Sequence, residues 1–352
     1  MIVWMLACSS PQDTATPPVD PVEHAVEAGP YAVGYRESEL IYDDTITGTT
    51  RTLRLALWYP TDDAEGQDAS YNGIFPTDGA WDSAGVAAGG PYPVAVYSHG
   101  HQGYAEASGF LMEHLASHGF VVAAPDHTGN TTLEGSDRDT EIYLQRPLDI
   151  TAVLDHLDAL PASDSLAGKV DVAQVIGIGH SFGGYTMLAL AGGLHDPDAA
   201  CAEDPGADFC STMTEALEDR MAQGFVESRL AVAIPMAAGD SNKFGADGLS
   251  QVTVPVVQMT GQLDNPDESG AIWSYLEGGE HRRVDIVGGG HQTFSDFSGI
   301  LEDMDGLIEP EEGFRIVRGY TAAAAWLHRG DSAYAPILDG EVQISEQAEI
   351  LR

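Results

Sequence analysis

The sequence predicts one large α/β domain in which a mostly parallel central sheet carries helices on both faces. The first observation is a set of short, almost uniformly apolar runs, as in strands that are buried on both faces of a parallel sheet. These runs occupy residues 93–97, 120–124, 174–178, 230–234 and 255–259. The second is that helical spacing fills the segments between them, and such alternation is typical of a doubly wound sheet. The third is a hydrophobic fraction of 43% in 352 residues, enough for a large core, without a run of about 18 apolar residues that could span a membrane.

The remaining elements follow from local patterns. Residues 31–36 and 51–59 alternate and are rich in β-formers, which predicts strands, whereas the Gly/Asp/Ser-rich stretch 60–90 predicts a loop. Pro147 is expected at the start of a helix that ends before Pro161, because proline is tolerated in the first turn and stops the helix later. Further helices are expected over residues 110–115, 185–191 and 314–327.

The charge balance excludes several classes of partner. There are 55 acidic and 15 basic residues, which gives a net charge of −40. Such a surface repels phosphate backbones and anionic membrane faces, so we expect no nucleic-acid binding. It favours solubility, including in a salty medium that screens self-repulsion.

The three cysteines bear on export. Cys201 and Cys210 bracket a short polar loop, which predicts a disulfide if the protein leaves the cytoplasm; the alternative is two free thiols. Cys8 follows the apolar run 2–7, and Met-Leu-Ala-Cys resembles the end of a bacterial lipoprotein signal, in which the cysteine is lipidated. We therefore expect an exported protein, anchored to the cell envelope through Cys8 or secreted. The run is short and lacks a basic start, so an N-terminal segment without this meaning is the alternative.

The strongest local motif is Gly-His-Ser-Phe-Gly-Gly at residues 179–184. It follows an apolar run and opens a helix, and a serine on such a tight turn projects its hydroxyl above the sheet. Flanking glycines let strand and helix pass closely. Ser181 is therefore the candidate nucleophile. The alternative is a glycine-rich helix start that only packs tightly or binds an anion.

A serine nucleophile needs a histidine base and an acid. When the serine lies on a turn between a strand and a helix, the three residues follow one another along the chain in the order serine, acid, histidine. The chain has 12 histidines. His291 lies in a glycine-rich loop just after the apparent strand 284–287, which would free it to reach the serine. His195 comes too soon, His281 precedes the strand and His328 ends a helix. His291 is thus the predicted base.

The acid is less sharply defined. Asp264 follows the strand that contains residues 255–259, at a carboxyl end where catalytic groups gather in open α/β sheets. Asp240 follows the preceding strand in the same way and is the second choice. Asp267 is the third.

Stabilisation of an oxyanion requires two N–H donors. We expect one to be the backbone N–H of Phe182. The other should come from the loop 98–103, through the main chain of His101, because Gly100 and Gly103 let this backbone approach a substrate.

A metal site is the competing interpretation of this region. His99, His101, Asp126, His127 and His180 all follow strand ends on the same edge. Serine chemistry already explains why these loops converge, so we expect neither a metal nor a cofactor.

Four patches resemble a known family: SHGHQG, LASHGFVVAAPDH, GHSFGGYT and GGGHQTFSDF. They are similar to the platelet-activating factor acetylhydrolase branch of the α/β-hydrolase superfamily, and also to dienelactone-hydrolase-like proteins and cutinase-like polyesterases. The resemblance implies the α/β-hydrolase fold, with Ser181 and His291 in catalysis and the amides of Phe182 and His101 as the oxyanion hole. The acetylhydrolases place the acid where this chain offers Asp240, whereas the polyesterases place it at Asp264.

The expected activity is hydrolysis of carboxylic esters through an acyl-enzyme, with a small-molecule or lipid ester as the partner. Short- to medium-chain acyl esters are the expected substrates, including lipids of the platelet-activating factor and oxidised phospholipid type. The alternatives are a polyester hydrolase, an acyltransferase and a catalytically silent surface lipoprotein that only binds.

The chain is expected to divide into a signal remnant and disordered linker over residues 1–30, an α/β-hydrolase domain over 31–330 and a C-terminal tail over 331–352. Residues 192–228 are longer than a simple connection and contain the cysteine pair. We expect them to form an insertion near the site.

Overall fold

Eleven strands form one sheet in the computed structural model, which describes residues 20–135, 138–276, 278–302 and 304–352. The strands are β1 (Ala32–Asp44), β2 (Thr49–Thr61), β3 (Asp68–Tyr71), β4 (Phe75–Asp82), β5 (Tyr92–Ser98), β6 (Val121–Pro125), β7 (Val170–His180), β8 (Leu230–Met236), β9 (Val257–Gly261), β10 (Arg282–Ile286) and β11 (Ala348–Leu351). Their order across the sheet is β11-β10-β9-β8-β7-β5-β6-β2-β1-β4-β3. The six adjacent strands β6, β5, β7, β8, β9 and β10 are parallel to one another. Strand β2 pairs antiparallel with β6 on one side, and β11 pairs antiparallel with β10 on the other. The predicted, mostly parallel sheet is therefore confirmed.

Helices cover both faces of this sheet, as predicted. They are α1 (Pro21–Val26), α2 (Gly109–Ser117), α3 (Thr140–Asp158), α4 (Phe182–Leu190), α5 (Pro197–Glu203), α6 (Asp208–Ser211), α7 (Glu215–Met221), α8 (Gly245–Leu249), α9 (Pro266–Tyr275), α10 (Pro310–His328) and α11 (Ala335–Leu338). Successive residues of a strand point to opposite faces, so Val122 and Ala124 of β6 join one buried cluster, with α2 and α10, while Val121 and Ala123 join the other, with α3 and α4. The apolar runs are uniform because both faces are buried.

The predicted loop over residues 60–90 is wrong, because it contains the hairpin β3–β4 at the edge of the sheet. Many side chains of β4 are exposed, including Phe75, Pro76 and Asp78. A largely exposed hairpin needs little apolar alternation, so its composition resembles that of a loop.

Pro147 lies inside α3 and does not begin the helix. A proline inside a helix leaves the carbonyl four residues earlier without its usual N–H donor. The hydroxyl of Tyr185 donates to the carbonyl oxygen of Tyr143 at 3.0 Å and supplies the missing hydrogen bond. The helix therefore continues because a side chain from α4 satisfies it, which local sequence does not reveal.

The predicted boundaries at residues 30 and 331 are also wrong. Helix α1 begins at an Asp20 cap, whose carboxylate accepts from the amide of Val22 at 2.9 Å, and Ala25 is fully buried beside α10. At the other end, β11 pairs with β10 and Leu338 of α11 is fully buried. Both segments thus belong to the packed domain, since their apolar side chains complete its core.

Residues 192–228 contain the three short helices α5 to α7, and the predicted disulfide between Cys201 and Cys210 is present. The predicted lipidation site Cys8 lies outside the described residues. Within the described part of the chain, no helix has the length and hydrophobicity needed to cross a membrane.

Candidate active site

The candidate nucleophile sits on a strained turn between β7 and α4. Ser181 has φ 55° and ψ −117°, a backbone conformation that non-glycine residues seldom adopt. A Cβ atom on Gly183 would lie 1.8 Å from the carbonyl oxygen of Ser98, so only glycine permits this approach of the helix to β5. The turn therefore has the geometry of a nucleophile elbow, which holds the serine hydroxyl above the sheet.

The structure brings the three predicted triad residues together at the carboxyl ends of β7, β9 and β10. The Nε2 atom of His291 lies 3.0 Å from Oγ of Ser181, and its Nδ1 atom lies 2.9 Å from Oδ1 of Asp264. A carboxylate only accepts hydrogen bonds, so Nδ1 carries the proton in neutral His291 and Nε2 accepts from the serine hydroxyl. This arrangement can accept a proton from Ser181 and stabilise the imidazolium that results.

The electrostatic surroundings of His291 favour its protonated form. Burial alone lowers the pKa of His291, but the hydrogen bond and charge of Asp264 outweigh it, with smaller contributions from Glu302 and Glu268. The pKa of His291 therefore lies above its ordinary value of 6.5. A base of this strength is suited to take a proton from a serine near neutral pH.

His180, which the sequence offered only as a metal ligand, supports the histidine loop instead. Its ring is buried, and Nε2 lies 2.9 Å from the carbonyl oxygen of His291. Burial, with the nearby charge of His291, lowers the pKa of His180 to about 3. The neutral ring donates to this carbonyl and so holds the loop that carries His291. Its position beside Ser181 in the sequence was the signal that could have revealed this role.

Asp240 and Asp267 do not contact His291. The carboxylate of Asp240 forms an ion pair with Arg138, and it accepts a hydrogen bond from the hydroxyl of Tyr143 at 3.0 Å. Both acids line the cavity beside Ser181. Of the three candidate acids, only Asp264 forms a hydrogen bond with His291.

The loop predicted to carry an oxyanion donor lies against the nucleophile. A Cβ atom on Gly100 would lie 3.3 Å from Cβ of Ser181, so the loop backbone passes close to the serine. The ring of His101 accepts from the side-chain amide of Asn130 at 3.1 Å. Phe182 begins α4, and the first amides of a helix have no acceptor within it. The backbone N–H groups of Phe182 and His101 therefore remain the predicted hydrogen-bond donors to the oxyanion.

The residues of the competing metal site are engaged with protein partners. Nε2 of His99 accepts from the amide of His127 at 3.0 Å. The His127 ring bonds to the carboxylate of Asp149 at 2.8 Å and to the hydroxyl of Ser98 at 2.9 Å. Asp126 pairs with an arginine of β2. Among the described residues, no cluster of His, Cys, Asp or Glu is arranged to hold a metal ion.

A cavity of about 670 Å³ opens beside Ser181. Helix α5 of the insertion contributes Ala199 and Glu203, and the other walls come from Arg138, the segment after β8 and helix α9. Most of its lining side chains are polar, and three alanines and one tyrosine supply the apolar part. The lining residues are Arg138, Ser181, Ala199, Glu203, Gly239, Asp240, Ser241, Asn242, Gly245, Ala246, Asn265, Asp267, Glu268, Ala271 and Tyr275.

Comparisons with known proteins agree with this geometry. Residues 85–205, which include the elbow, match the chlorophyllase family. A cutinase, Cutinase est1 of Thermobifida alba, is 35% identical over 114 residues, covering 32% of this chain and 35% of the cutinase. The platelet-activating factor acetylhydrolase of Cavia porcellus is 26% identical over 227 residues, covering 46% of this chain and 50% of that enzyme.

The chain thus spans about a third to a half of the length of these curated relatives. A solved structure, a ferulic acid esterase from Streptomyces cinnamoneus, is similar over nearly the whole fold. It has a TM-score of 0.62 and 24% sequence identity, and the match covers 93% of this chain and 99% of that one. The chain therefore has the α/β-hydrolase fold, and a stretch of 114 residues is similar in sequence to a cutinase.

Proposed function

We propose that this protein is a serine-dependent carboxylic-ester hydrolase. The observation that carries the proposal is the hydrogen-bonded chain from Oγ of Ser181 through His291 to Asp264, with distances of 3.0 and 2.9 Å. His291 takes the proton of Ser181 as its oxygen attacks the ester carbonyl, and then gives it to the leaving alcohol. Water releases the acyl group from the enzyme by the same steps.

The amides of Phe182 and His101 are proposed to stabilise the oxyanion that forms at each step. One such donor is worth about 3–4 kcal/mol of transition-state energy in comparable enzymes. The close approach of Gly100 to Ser181 supports this assignment, because it brings the loop backbone near the reacting carbonyl.

Short- to medium-chain acyl esters are the proposed substrates. Lipids of the platelet-activating factor type are a narrower proposal that rests on the similarity to the acetylhydrolase. The cavity narrows the class further. Its lining carries four carboxylates, on Glu203, Asp240, Asp267 and Glu268, against the single guanidinium of Arg138. An anionic group would be repelled there, so we propose that the part of the ester that enters the cavity is uncharged.

Replacement of the nucleophile tests the reaction. Ser181→Ala should abolish the hydrolysis of p-nitrophenyl acetate, while the matched variant Ser211→Ala, on α6, should keep wild-type activity. Both proteins should unfold at the same temperature as the wild type. Hydrolysis by Ser181→Ala at a rate near that of wild type would overturn the proposal.

A pair of acyl groups of similar length tests the preference for uncharged esters. We expect kcat/KM for the p-nitrophenyl hemisuccinate to be about tenfold below that for the pentanoate, from repulsion of its carboxylate. Glu203→Gln with Asp267→Asn should narrow this gap, whereas Glu218→Gln, which borders another cavity, should leave it unchanged. Equal values for both esters in the wild type would contradict the preference.

Polyester cleavage is a second candidate, favoured by the similarity to cutinases and by a row of three aromatic side chains, two of which follow the loop 98–103 and the loop of His291 in the sequence. Phe75, which is exposed, stacks on Tyr104 at 6.1 Å between ring centres, and Tyr104 meets Phe297 at 6.1 Å. An apolar polymer chain could lie along this row. Release of soluble product from a polyester film should decrease in Phe75→Ala while turnover of p-nitrophenyl acetate stays constant.

We also propose that the protein is exported. The disulfide between Cys201 and Cys210 supports this, because disulfides persist mainly in oxidising compartments. Anchoring through Cys8 is a finer proposal. In a bacterial host, wild-type protein should incorporate radiolabelled palmitate and Cys8→Ala should not; equal labelling of both would exclude Cys8 as the lipidated residue.

A further inference from the structure

One buried arginine lies directly behind the candidate site. Arg146, on α3, is fully buried. Its guanidinium donates to the carbonyl oxygen of His99 and, at 3.1 Å, to the hydroxyl of Ser98. It also donates to the side-chain oxygen of Asn130 at 3.0 Å and lies 4.5 Å from the centre of the Phe182 ring. A single side chain thus joins the end of β5, the loop after β6 and the start of α4.

These are the segments that carry the proposed oxyanion donors. The carbonyl of His99 lies two residues before His101 in the loop, and Asn130 donates to the His101 ring at 3.1 Å. A displacement of the His99 carbonyl would therefore move the amide of His101. On the other side, the guanidinium contacts Phe182 itself, whose N–H is the second donor.

The charge of Arg146 is not neutralised by a direct partner. Its hydrogen-bond partners among the described residues are carbonyl, hydroxyl and amide oxygens, none of them a carboxylate. The nearby carboxylate of Asp149 is engaged with Arg51 at 2.7 Å and with His127 at 2.8 Å. Burial lowers the pKa of Arg146 to about 9, so the side chain is cationic at neutral pH.

Burying a cation without a counterion destabilises a fold unless another interaction compensates. Here Asp149 supplies only part of the compensating charge, because it also pairs with Arg51 and His127. A further negative charge forms during the reaction, on the oxygen of the tetrahedral intermediate. A fixed positive charge behind the donors strengthens their interaction with that oxygen and needs no reorganisation when it forms.

We propose that Arg146 is the positioning residue of the oxyanion site. It holds the loop of His101 and the elbow at Phe182 in fixed positions relative to each other, and its positive charge favours binding of the negatively charged oxygen by both amides. This inference rests on the proposed ester hydrolysis. It assigns Arg146 no contact with the substrate, because the side chain acts through the His99 carbonyl and the Phe182 ring.

Two variants test it. Arg146→Lys keeps the charge but cannot hold Ser98, His99 and Asn130 together, and Arg146→Gln removes the charge as well. We expect kcat to decrease about tenfold in the first and about 100-fold in the second, with KM changed less than about threefold. Affinity for a boronic acid that forms a tetrahedral adduct on Ser181 should decrease in parallel with kcat/KM.

Arg51→Lys is the matched control, because Arg51 is also a buried arginine but pairs with Asp149. It should lose thermal stability and keep kcat within about threefold, which separates folding from positioning. If neither Arg146 variant folds, Phe182→Leu, which removes the ring but keeps the N–H, should lower kcat about fivefold.

Wild-type kcat with boronic-acid affinity unchanged in the folded Arg146 variants would overturn the inference, as would wild-type kcat in Phe182→Leu. Absence of ester hydrolysis by the wild-type protein would instead contradict the proposed function, so the two failures are distinguishable.

Discussion

Replacement of Asp264 by asparagine tests the identity of the acid. The carboxylate lies 2.9 Å from Nδ1 of His291, and for unit charges at that distance an effective dielectric constant of about 20 gives about 5.7 kcal/mol. The side chains are 34% exposed for His291 and 18% for Asp264, so we halve this value for solvent screening to about 3 kcal/mol. At 1.36 kcal/mol for each tenfold change, charge loss alone lowers kcat about 100-fold.

The asparagine also fails to fix the ring tautomer, so the full decrease should lie between about 10² and 10⁴. Steady-state hydrolysis of p-nitrophenyl acetate at pH 8 measures it, with Asp240→Asn as the comparison. Asp240 contacts Arg138 and Tyr143 and not the histidine, so its replacement should change kcat less than about tenfold. A larger loss in Asp240→Asn than in Asp264→Asn would refute the assignment of the acid.

Three further predictions follow from other contacts. Because Glu302 helps to raise the pKa of His291, and only the neutral ring can act as base, kcat/KM should rise with pH with a midpoint above 6.5, and Glu302→Gln should move that midpoint to lower pH. Replacing both Cys201 and Cys210 by alanine should lower the free energy of unfolding by about 2.5 kcal/mol in denaturant titration, from the loop that the disulfide closes. Tyr185→Phe should lower the free energy of unfolding by about 1–3 kcal/mol, because the carbonyl of Tyr143 then has no donor in place of the amide that Pro147 lacks. An unchanged denaturation midpoint would contradict this.

The central strands and the convergence of the candidate site could be predicted from the sequence. The parallel strands are buried on both faces, so their hydrophobicity is local and needs no knowledge of the rest of the fold. Once their order is known, the residues that follow β7, β9 and β10 must meet at one edge. This is why Ser181, Asp264 and His291 were found together, although 110 positions separate the serine from the histidine.

The elements that were missed depend on distant partners. The hairpin β3–β4 is held by its place at the sheet edge, and α3 continues through Pro147 because a tyrosine of another helix bonds to the freed carbonyl. Helix α1 and strand β11 are ordered by packing on α10 and pairing with β10. Such long-range contacts leave no periodic trace in the segments themselves.

Arg146 shows that some of these contacts do leave a weak signal. Within α3 it precedes Ile150, Val153 and Leu157 at helical spacing, on the stripe that packs in the core. A charged residue on the buried stripe of a helix is unusual, because an arginine is seldom fully buried without a reason. The buried charge therefore marks Arg146 as a position with a special role. Its hydrogen-bond partners could not be predicted, because they belong to other segments of the chain.

Trapping the acyl-enzyme tests the role of Ser181 most directly. Wild-type protein mixed with p-nitrophenyl acetate and quenched in acid within milliseconds should show a burst of one nitrophenolate per protein, with the acetyl group on the peptide that contains Ser181. Turnover with no covalent adduct, or an adduct on a different residue, would contradict nucleophilic catalysis by this serine.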